Sequence, residues 1–152
     1  MERSQLVAAP LSEVFAFFSD AGNLARITPP WLRFRIHGDS PAIAPGARIE
    51  YRIRWLVFTL RWVTRITRFT PPREFQDVQE KGPYRAWIHT HTFAQEAGGV
   101  RMTDRVEYAL PLGAAGRLAH AVVVRRQLEG IFAYRRRAVD EIFGRLAPPA
   151  AS

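Results

Sequence analysis

Between residues 48 and 108 the chain alternates apolar and polar side chains with a period of two, the mark of strands whose successive residues face opposite sides of a sheet. Ile49, Tyr51, Ile53 and Trp55 share one face; Arg48, Glu50, Arg52 and Arg54 share the other. Leu60, Trp62, Thr64 and Ile66 continue the inward set, opposite Arg61 and Arg65. A strand from Arg73 to Glu80 puts Phe75, Asp77 and Gln79 on one face, and Gly82-Pro83 turns the chain. Trp87, His89, His91 and Phe93 then alternate with Ile88, Thr90 and Thr92. Gly98-Gly99 signals a hairpin, after which Met102, Asp104, Val106 and Tyr108 share a face, with Thr103, Arg105 and Glu107 behind them.

The two ends follow other patterns. Ser4 to Ala8 reads as a short first strand. Pro10 starts a helix with Leu11, Val14, Phe15, Phe17 and Phe18 as its apolar residues; proline is tolerated there because its missing N–H would be unpaired anyway. Asp20-Ala21-Gly22-Asn23 breaks this helix, and Leu24 to Ile27 forms a second short one stopped by Pro29-Pro30. Gly113 and Gly116 end the sheet region. Arg117 to Leu146 then reads as one long helix: at about 100° per residue, Ala121, Val124, Leu128, Ile131, Phe132, Val139, Ile142, Phe143 and Leu146 make one apolar stripe, with Arg136, Arg137 and Glu141 off it. Strands joined by turns, with helices segregated at the ends, predict an α+β domain built on an antiparallel sheet. Only the last helix is long enough to cover the sheet's apolar face. The spacing predicts one domain over residues 1–146 and a loose tail, Ala-Pro-Pro-Ala-Ala-Ser, over 147–152.

Composition narrows the function classes. A length of 152 residues suits one domain, and 47% hydrophobic residues suffice for a core. The absence of cysteine removes disulfides, thiolate metal sites and cysteine nucleophiles. The net charge of +8 is carried almost wholly by arginine; Lys81, the only lysine, is expected in a turn, which argues against Schiff-base chemistry. The arginines are dispersed, as on a solvated surface, and no compact basic stretch is interleaved with aromatics. Nucleic acid is therefore not an expected partner, whereas a peripheral contact with anionic membrane suits an arginine-rich outer face. No run approaches the ~18 apolar residues of a membrane span, and Met1-Glu2-Arg3-Ser4 lacks a basic-then-apolar signal pattern, so the chain is expected in the cytoplasm. There is no Gly-x-Gly-x-x-Gly, phosphate-binding loop, Gly-x-Ser-x-Gly or His-Glu-x-x-His, which argues against dinucleotide enzymes, NTPases, α/β-hydrolases and zincins.

Three stretches carry a resemblance. They are Val7-Ala8-Ala9-Pro10 with Glu13-Val14-Phe15, Phe18, Asp20, Asn23, Leu24, Ile27, Pro29 and Trp31; the run from Gly82-Pro83-Tyr84-Arg85-Ala86-Trp87 through His89, His91 and Phe93; and Asp104-Arg105-Val106-Glu107-Tyr108 ahead of the long helix. From Glu2 to about Leu146 the chain resembles the START/Bet v 1-like (SRPBCC) superfamily, and within it a bacterial subgroup labelled cyclase/dehydrase-like or ligand-binding. That resemblance implies a helix-grip fold: a curved antiparallel sheet of about six or seven strands wrapped around the long C-terminal helix, with two short helices after the first strand. Relatives in the superfamily include lipid carriers, quinone-binding proteins, hormone receptors and polyketide cyclases, so fold does not fix function. The first reading is a cofactor-free carrier or binding protein, monomeric or homodimeric, for a largely apolar lipid, quinone or polyketide-like molecule. The alternative is a polyketide cyclase/dehydratase-type enzyme.

In such a grip the inward face is mixed. Tyr51, Trp55, Trp62, Phe75 and Trp87 are expected to bind ligand, as are Phe93, Tyr108, Gln79 and Met102, with Phe132 from the helix. Among them stand Asp77, His89, His91 and Asp104. A two-residue turn at Ala97-Gly98 sets His91 opposite Asp104 and His89 opposite Val106; a loop at Lys81 to Pro83 sets Asp77 opposite or diagonal to His89. Such neighbours have Cβ atoms ~5 Å apart. Three uses are open. The group could be a structural hydrogen-bond ladder or polar anchor for a ligand. It could be an acid/base set for aldol-type cyclisation or dehydration, with all four residues as catalytic candidates. His89, His91 and a carboxylate could also hold a metal, since His-x-His on a strand aims both rings the same way; no metal is assigned. Arg135 interrupts the apolar stripe between Leu128, Ile131, Val139 and Ile142. A buried guanidinium cannot lose its proton and needs a carboxylate or an anionic ligand, so Arg135 is expected to meet Asp77, Asp104 or the ligand.

Overall fold

Seven strands and two α-helices appear in the computed structural model, which describes residues 1–38, 42–55, 57–111 and 114–144, without the side chains of 114–122. In chain order they are β1 (Glu2–Val7), α1 (Leu11–Phe18), 3-10 helices at Ala21–Ile27 and Pro30–Leu32, β2 (Arg35–Ile36), β3 (Arg48–Trp55), β4 (Phe58–Thr70), β5 (Glu74–Lys81), β6 (Ala86–Glu96), β7 (Gly99–Ala109) and α2 (Ala114–Phe143). The strands form one antiparallel sheet in the order β1-β7-β6-β5-β4-β3-β2. This is the α+β helix-grip arrangement that the sequence implies. The Gly113 turn, Leu146 and the tail at 147–152 lie outside the described residues, as does the side chain of Ala121.

Several boundaries differ from the pattern. β1 runs over Glu2–Val7 rather than from Ser4 to Ala8, because its ends are set by backbone pairing with β7, from Glu2 opposite Arg105 to Val7 opposite Val100. α1 ends before Asp20 as expected, but the second short helix starts at Ala21 rather than Leu24. Asp20 Oδ1 accepts a hydrogen bond from Gly22 N at 2.8 Å and starts the 3-10 helix at once. β2 is two residues long and offers no period to read. α2 begins at Ala114, ahead of Arg117.

The interior is divided. At one end α1 and the C-terminal half of α2 close a dense core of Val7, Val14, Phe15, Phe18, Phe75, Phe93, Val100, Met102, Ala138 and Val139. Phe15 meets Phe93 edge-on, with ring centroids 5.4 Å apart. At the other end, between β3–β6 and the middle of α2, the side chains do not fill the space, and a cavity remains.

Gly99 fixes how β1 closes the sheet. A Cβ at this position would sit 2.1 Å from the Val7 carbonyl oxygen, a backbone atom that cannot turn aside. Gly99→Ala is therefore expected to destabilise the fold by about 1–3 kcal/mol, the usual cost of overpacking. A urea melt of the variant overlying that of the parent would show that β1 yields freely.

Candidate functional site

The cavity measures about 210 Å³, more than ten times the ~15 Å³ that admits a water. β3 and β4 contribute Tyr51, Trp55, Trp62 and Thr64; β5 and β6 contribute Phe75, Asp77, Trp87, His89 and His91. α2 closes it with Val124, Gln127, Leu128, Ile131, Phe132 and Arg135, and the first 3-10 helix adds Leu24 and Ile27. The aromatic wall is continuous. Tyr51 stacks on Trp62 across the β3–β4 pair with centroids 5.9 Å apart, Trp62 meets Trp87 edge-on at 5.3 Å, and Tyr84 reaches both.

The Ala97-Gly98 turn sets the register of the polar group. β6 and β7 pair His91 with Asp104 and His89 with Val106, and β5 places Asp77 opposite His89. All four side chains point inward from neighbouring strands. His89 Nε2 hydrogen-bonds Asp104 Oδ1 at 3.0 Å. His91 Nδ1 lies 2.7 Å from the same oxygen, but at an angle that makes no hydrogen bond. On the other side, Asp77 Oδ2 lies 3.6 Å from His91 Nε2 and 3.9 Å from His89 Nδ1. Thr64 Oγ1 donates to Asp77 Oδ1 at 2.8 Å and fixes that carboxylate. Phe75 stacks on His91 with centroids 4.2 Å apart, and the two imidazoles are 3.9 Å apart. The result is a closed ring of alternating carboxylates and imidazoles. Asp77, His89 and His91 line the cavity; Asp104 stands behind them.

Arg135 joins this ring from α2. Its side chain is 12% exposed, and Nη1 reaches Asp104 Oδ1 at 3.5 Å. The guanidinium lies over the Phe132 ring at 5.3 Å. Among the described residues Nε and Nη1 find no hydrogen-bond partner, nor does the buried Nε1 of Trp62. Orphaned buried donors are rare in folded proteins and call for an explanation.

The electrostatics follow from burial set against neighbours. Burial alone would raise the Asp104 carboxyl, but His91, His89 and Arg135 together hold it well below the usual carboxylate range. Asp77 is likewise pushed up by burial and brought down further by His91, His89 and Thr64. Burial, reinforced by the neighbouring His91, lowers His89 despite its bond to Asp104. Burial opposes the charge on His91 too, yet Asp104 and Asp77 outweigh it and raise that imidazole. The Tyr51 hydroxyl is pushed well up by burial and by the charge of Asp77.

The remaining expected ligand contacts fall elsewhere. Phe93 and Met102 lie in the dense core beneath α1, on the right face of the sheet but at the filled end. Gln79 is occupied by the β5–β6 loop: its Nε2 donates to Tyr84 O at 2.7 Å, and its Oε1 accepts from Tyr84 N at 3.3 Å. Tyr108 packs behind the wall, against Tyr84 and Trp87. None of these four lines the cavity. Gln127 and Tyr84 are among the wall residues that escaped the pattern. Gln127 accepts a hydrogen bond from Trp55 Nε1, and Tyr84 sits in a turn. Gln127 had a signal: with Ile131, Arg135 and Val139 it forms a row spaced by four on one side of α2.

One nitrogen from each of His89 and His91 and one oxygen of Asp77 lie within 4.8 Å of one another, a set able to hold a metal ion. Among the described residues no helix is long and apolar enough to cross a membrane.

Over residues 7–132 the chain matches the family described as "Polyketide cyclase / dehydrase and lipid transport". No curated protein matches it. Among solved structures it is similar to protein CV1439 from Chromobacterium violaceum, with a TM-score of 0.74, 12% identity, and coverage of 96% of this chain and 97% of that one. It is also similar to Ara h 8.0201, with a TM-score of 0.65, 14% identity, and coverage of 91% and 95%. A third likeness is to the nucleoside-diphosphate sugar epimerase from Corynebacterium glutamicum, with a TM-score of 0.66 and 25% identity over 93% of this chain but only 28% of that one.

Proposed function

Because the chain belongs to the polyketide cyclase/dehydrase and lipid transport family, within the START/Bet v 1-like superfamily, we propose that it is a carrier or binding protein that takes a largely apolar small molecule into its internal cavity. The observation that carries this reading is the aromatic and aliphatic wall around about 210 Å³ of unfilled space. A protein interior normally closes to near-crystalline density, so an unfilled apolar space of this size loses contact energy unless something occupies it. The polar end of the ligand is assigned to Arg135 and Trp62, whose buried N–H groups find no acceptor among the described residues and gain one from an oxygen on the ligand. The dispersed arginines of the outer sheet face suit brief contact with anionic membrane, where such a ligand partitions.

Uptake of the neutral apolar probe N-phenyl-1-naphthylamine, read by its fluorescence, tests the reading. The parent should take up about one probe per chain, with quenching of tryptophan emission. Ile131→Trp, which puts a larger ring on the α2 wall, should abolish uptake while the fold, read by circular dichroism, is kept. No uptake by the folded parent, or uptake undiminished in Ile131→Trp, would sink the internal-cavity reading.

A second reading, a cyclase/dehydratase, is favoured by one further observation: Asp77, His89 and His91 are not sealed behind the wall but form part of it. A general acid or base must reach the proton it moves, and these three meet that condition. In that reading His89 and His91 move protons at the substrate's carbonyl and α-carbon, while Asp104 orients both rings from behind. Incubation with a short poly-β-ketone thioester, followed by mass spectrometry for loss of water, separates turnover from binding. Probe uptake with no product would leave the carrier reading standing alone.

A further inference from the structure

We propose that Asp77, His89 and His91 form a binding site for a divalent transition-metal ion at the wall of the cavity. Three observations carry this, and none depends on which ligand the cavity takes. The first is the choice of atoms. Both imidazoles turn one nitrogen toward Asp104 Oδ1, at 3.0 Å from His89 Nε2 and 2.7 Å from His91 Nδ1. That leaves His89 Nδ1 and His91 Nε2 facing Asp77 Oδ2, at 3.9 Å and 3.6 Å. These contacts are too long for hydrogen bonds. They are close to the spacing of about 3.3 Å between ligand atoms held tetrahedrally at zinc-type distances of roughly 2.0–2.1 Å. All three donor atoms lie within 4.8 Å of one another, so that rotation of the side chains can bring them onto one ion.

The second observation is the support behind the donors. Metal-binding histidines characteristically give their other ring nitrogen to a carboxylate, which fixes tautomer and orientation. Asp104 stands in that place for His89 by a hydrogen bond and lies 2.7 Å from the other nitrogen of His91, and Thr64 Oγ1 holds the far oxygen of Asp77 at 2.8 Å. Phe75 stacks on His91 and limits rotation of its ring. The third observation is charge. The buried carboxylate of Asp104 and the half-buried one of Asp77 stand beside one guanidinium, that of Arg135 on Asp104. Two carboxylates against one guanidinium leave room for a further positive charge, which a bound cation supplies.

The donor set also selects the ion. Two imidazoles and one carboxylate suit Zn²⁺ or Fe²⁺; Ca²⁺ and Mg²⁺ favour all-oxygen shells. Three protein ligands leave at least one coordination position, and since all three residues line the cavity, that position faces it.

The test uses the full chain after chelator treatment and dialysis, titrated calorimetrically with Zn²⁺ alone. One site per chain is expected, retained in His37→Ala, whose histidine is exposed and remote from the cavity, and lost in Asp77→Asn and His91→Gln. Asp104→Asn, which acts through the two rings, should weaken binding by about 10–100-fold without abolishing it. Should the buried variants fail to fold, Co²⁺ absorption of the parent still decides. Bands shifted and intensified by imidazole ligation are expected, and a spectrum identical to that of aqueous Co²⁺ would overturn the proposal. Zn²⁺ binding that survives undiminished in folded Asp77→Asn, or that disappears in His37→Ala, overturns it equally, since the ion would then be held at the surface.

Discussion

Asp104→Asn is expected to lower the stability of the fold by about 3–5 kcal/mol, the cost of breaking a buried ionic group from one side. The single oxygen Oδ1 of Asp104 is approached by His89 at 3.0 Å, His91 at 2.7 Å and Arg135 at 3.5 Å, and its side chain is 8% exposed. The amide keeps the shape but removes the negative charge. Arg135 cannot shed its proton, so its guanidinium loses the carboxylate it is paired with while staying mostly buried. The alternative, a solvated carboxylate whose loss matters little, predicts about 0–1 kcal/mol. Urea melts of parent and variant at neutral pH decide between them. A fall of less than about 1 kcal/mol would mean that water reaches this ring of side chains and that Asp104 is not its electrostatic centre.

Much of this site could be read from the chain because three short-range rules act in the same direction. The period of two assigns His89, His91, Asp77 and Asp104 to one face. The two-residue turn at Ala97-Gly98, with Gly98 at φ 86°, fixes the β6–β7 register and so the His91–Asp104 pair. The helical period places Arg135 among apolar neighbours, and its head then reaches Asp104. What could not be read was where the sheet's inner face stops being cavity and becomes core. Phe93 and Met102 have the same alternation as His89 and His91, but α1 folds over their end of the sheet. That depends on the path of a helix some eighty residues earlier in the chain. Gln79 was lost for a different reason. The β4–β5 register shifts between Val63 and Thr64, and the adjoining loop brings the Tyr84 backbone onto the Gln79 amide. Bulges and loop paths answer to local backbone pairing, which a hydrophobic pattern does not encode.

Arg135→Leu should behave unlike Asp104→Asn although the two residues touch. Removing Arg135 leaves Asp104 with both histidines and removes a cation whose Nε and Nη1 have no hydrogen bond among the described residues. The leucine gains contact with Phe132 and Ile131 on the cavity wall, and replacing a poorly paired buried charge by a well-packed apolar group is often close to neutral. The loss of stability should therefore be smaller than for Asp104→Asn. In the Asp104→Asn background the same change should restore stability, with a coupling of about 0.5–3 kcal/mol, because it takes away the charge that the first substitution orphaned. Function should move the other way. If Arg135 is the donor for the polar end of the ligand, its loss removes a charged hydrogen bond of about 1.5–3 kcal/mol, which is roughly 10–150-fold in affinity. The comparison is cleanest with two probes that differ in one group: 1-anilinonaphthalene-8-sulfonate, which carries an acceptor oxyanion, and neutral N-phenyl-1-naphthylamine. Arg135→Leu should weaken the first strongly and the second hardly at all, and Trp62→Phe, which removes the other orphan donor, should do the same to a lesser degree. Equal losses for both probes would mean that Arg135 shapes the wall without recognising anything. Additive melts of Arg135→Leu and Asp104→Asn would show that the 3.5 Å contact between them carries no energy.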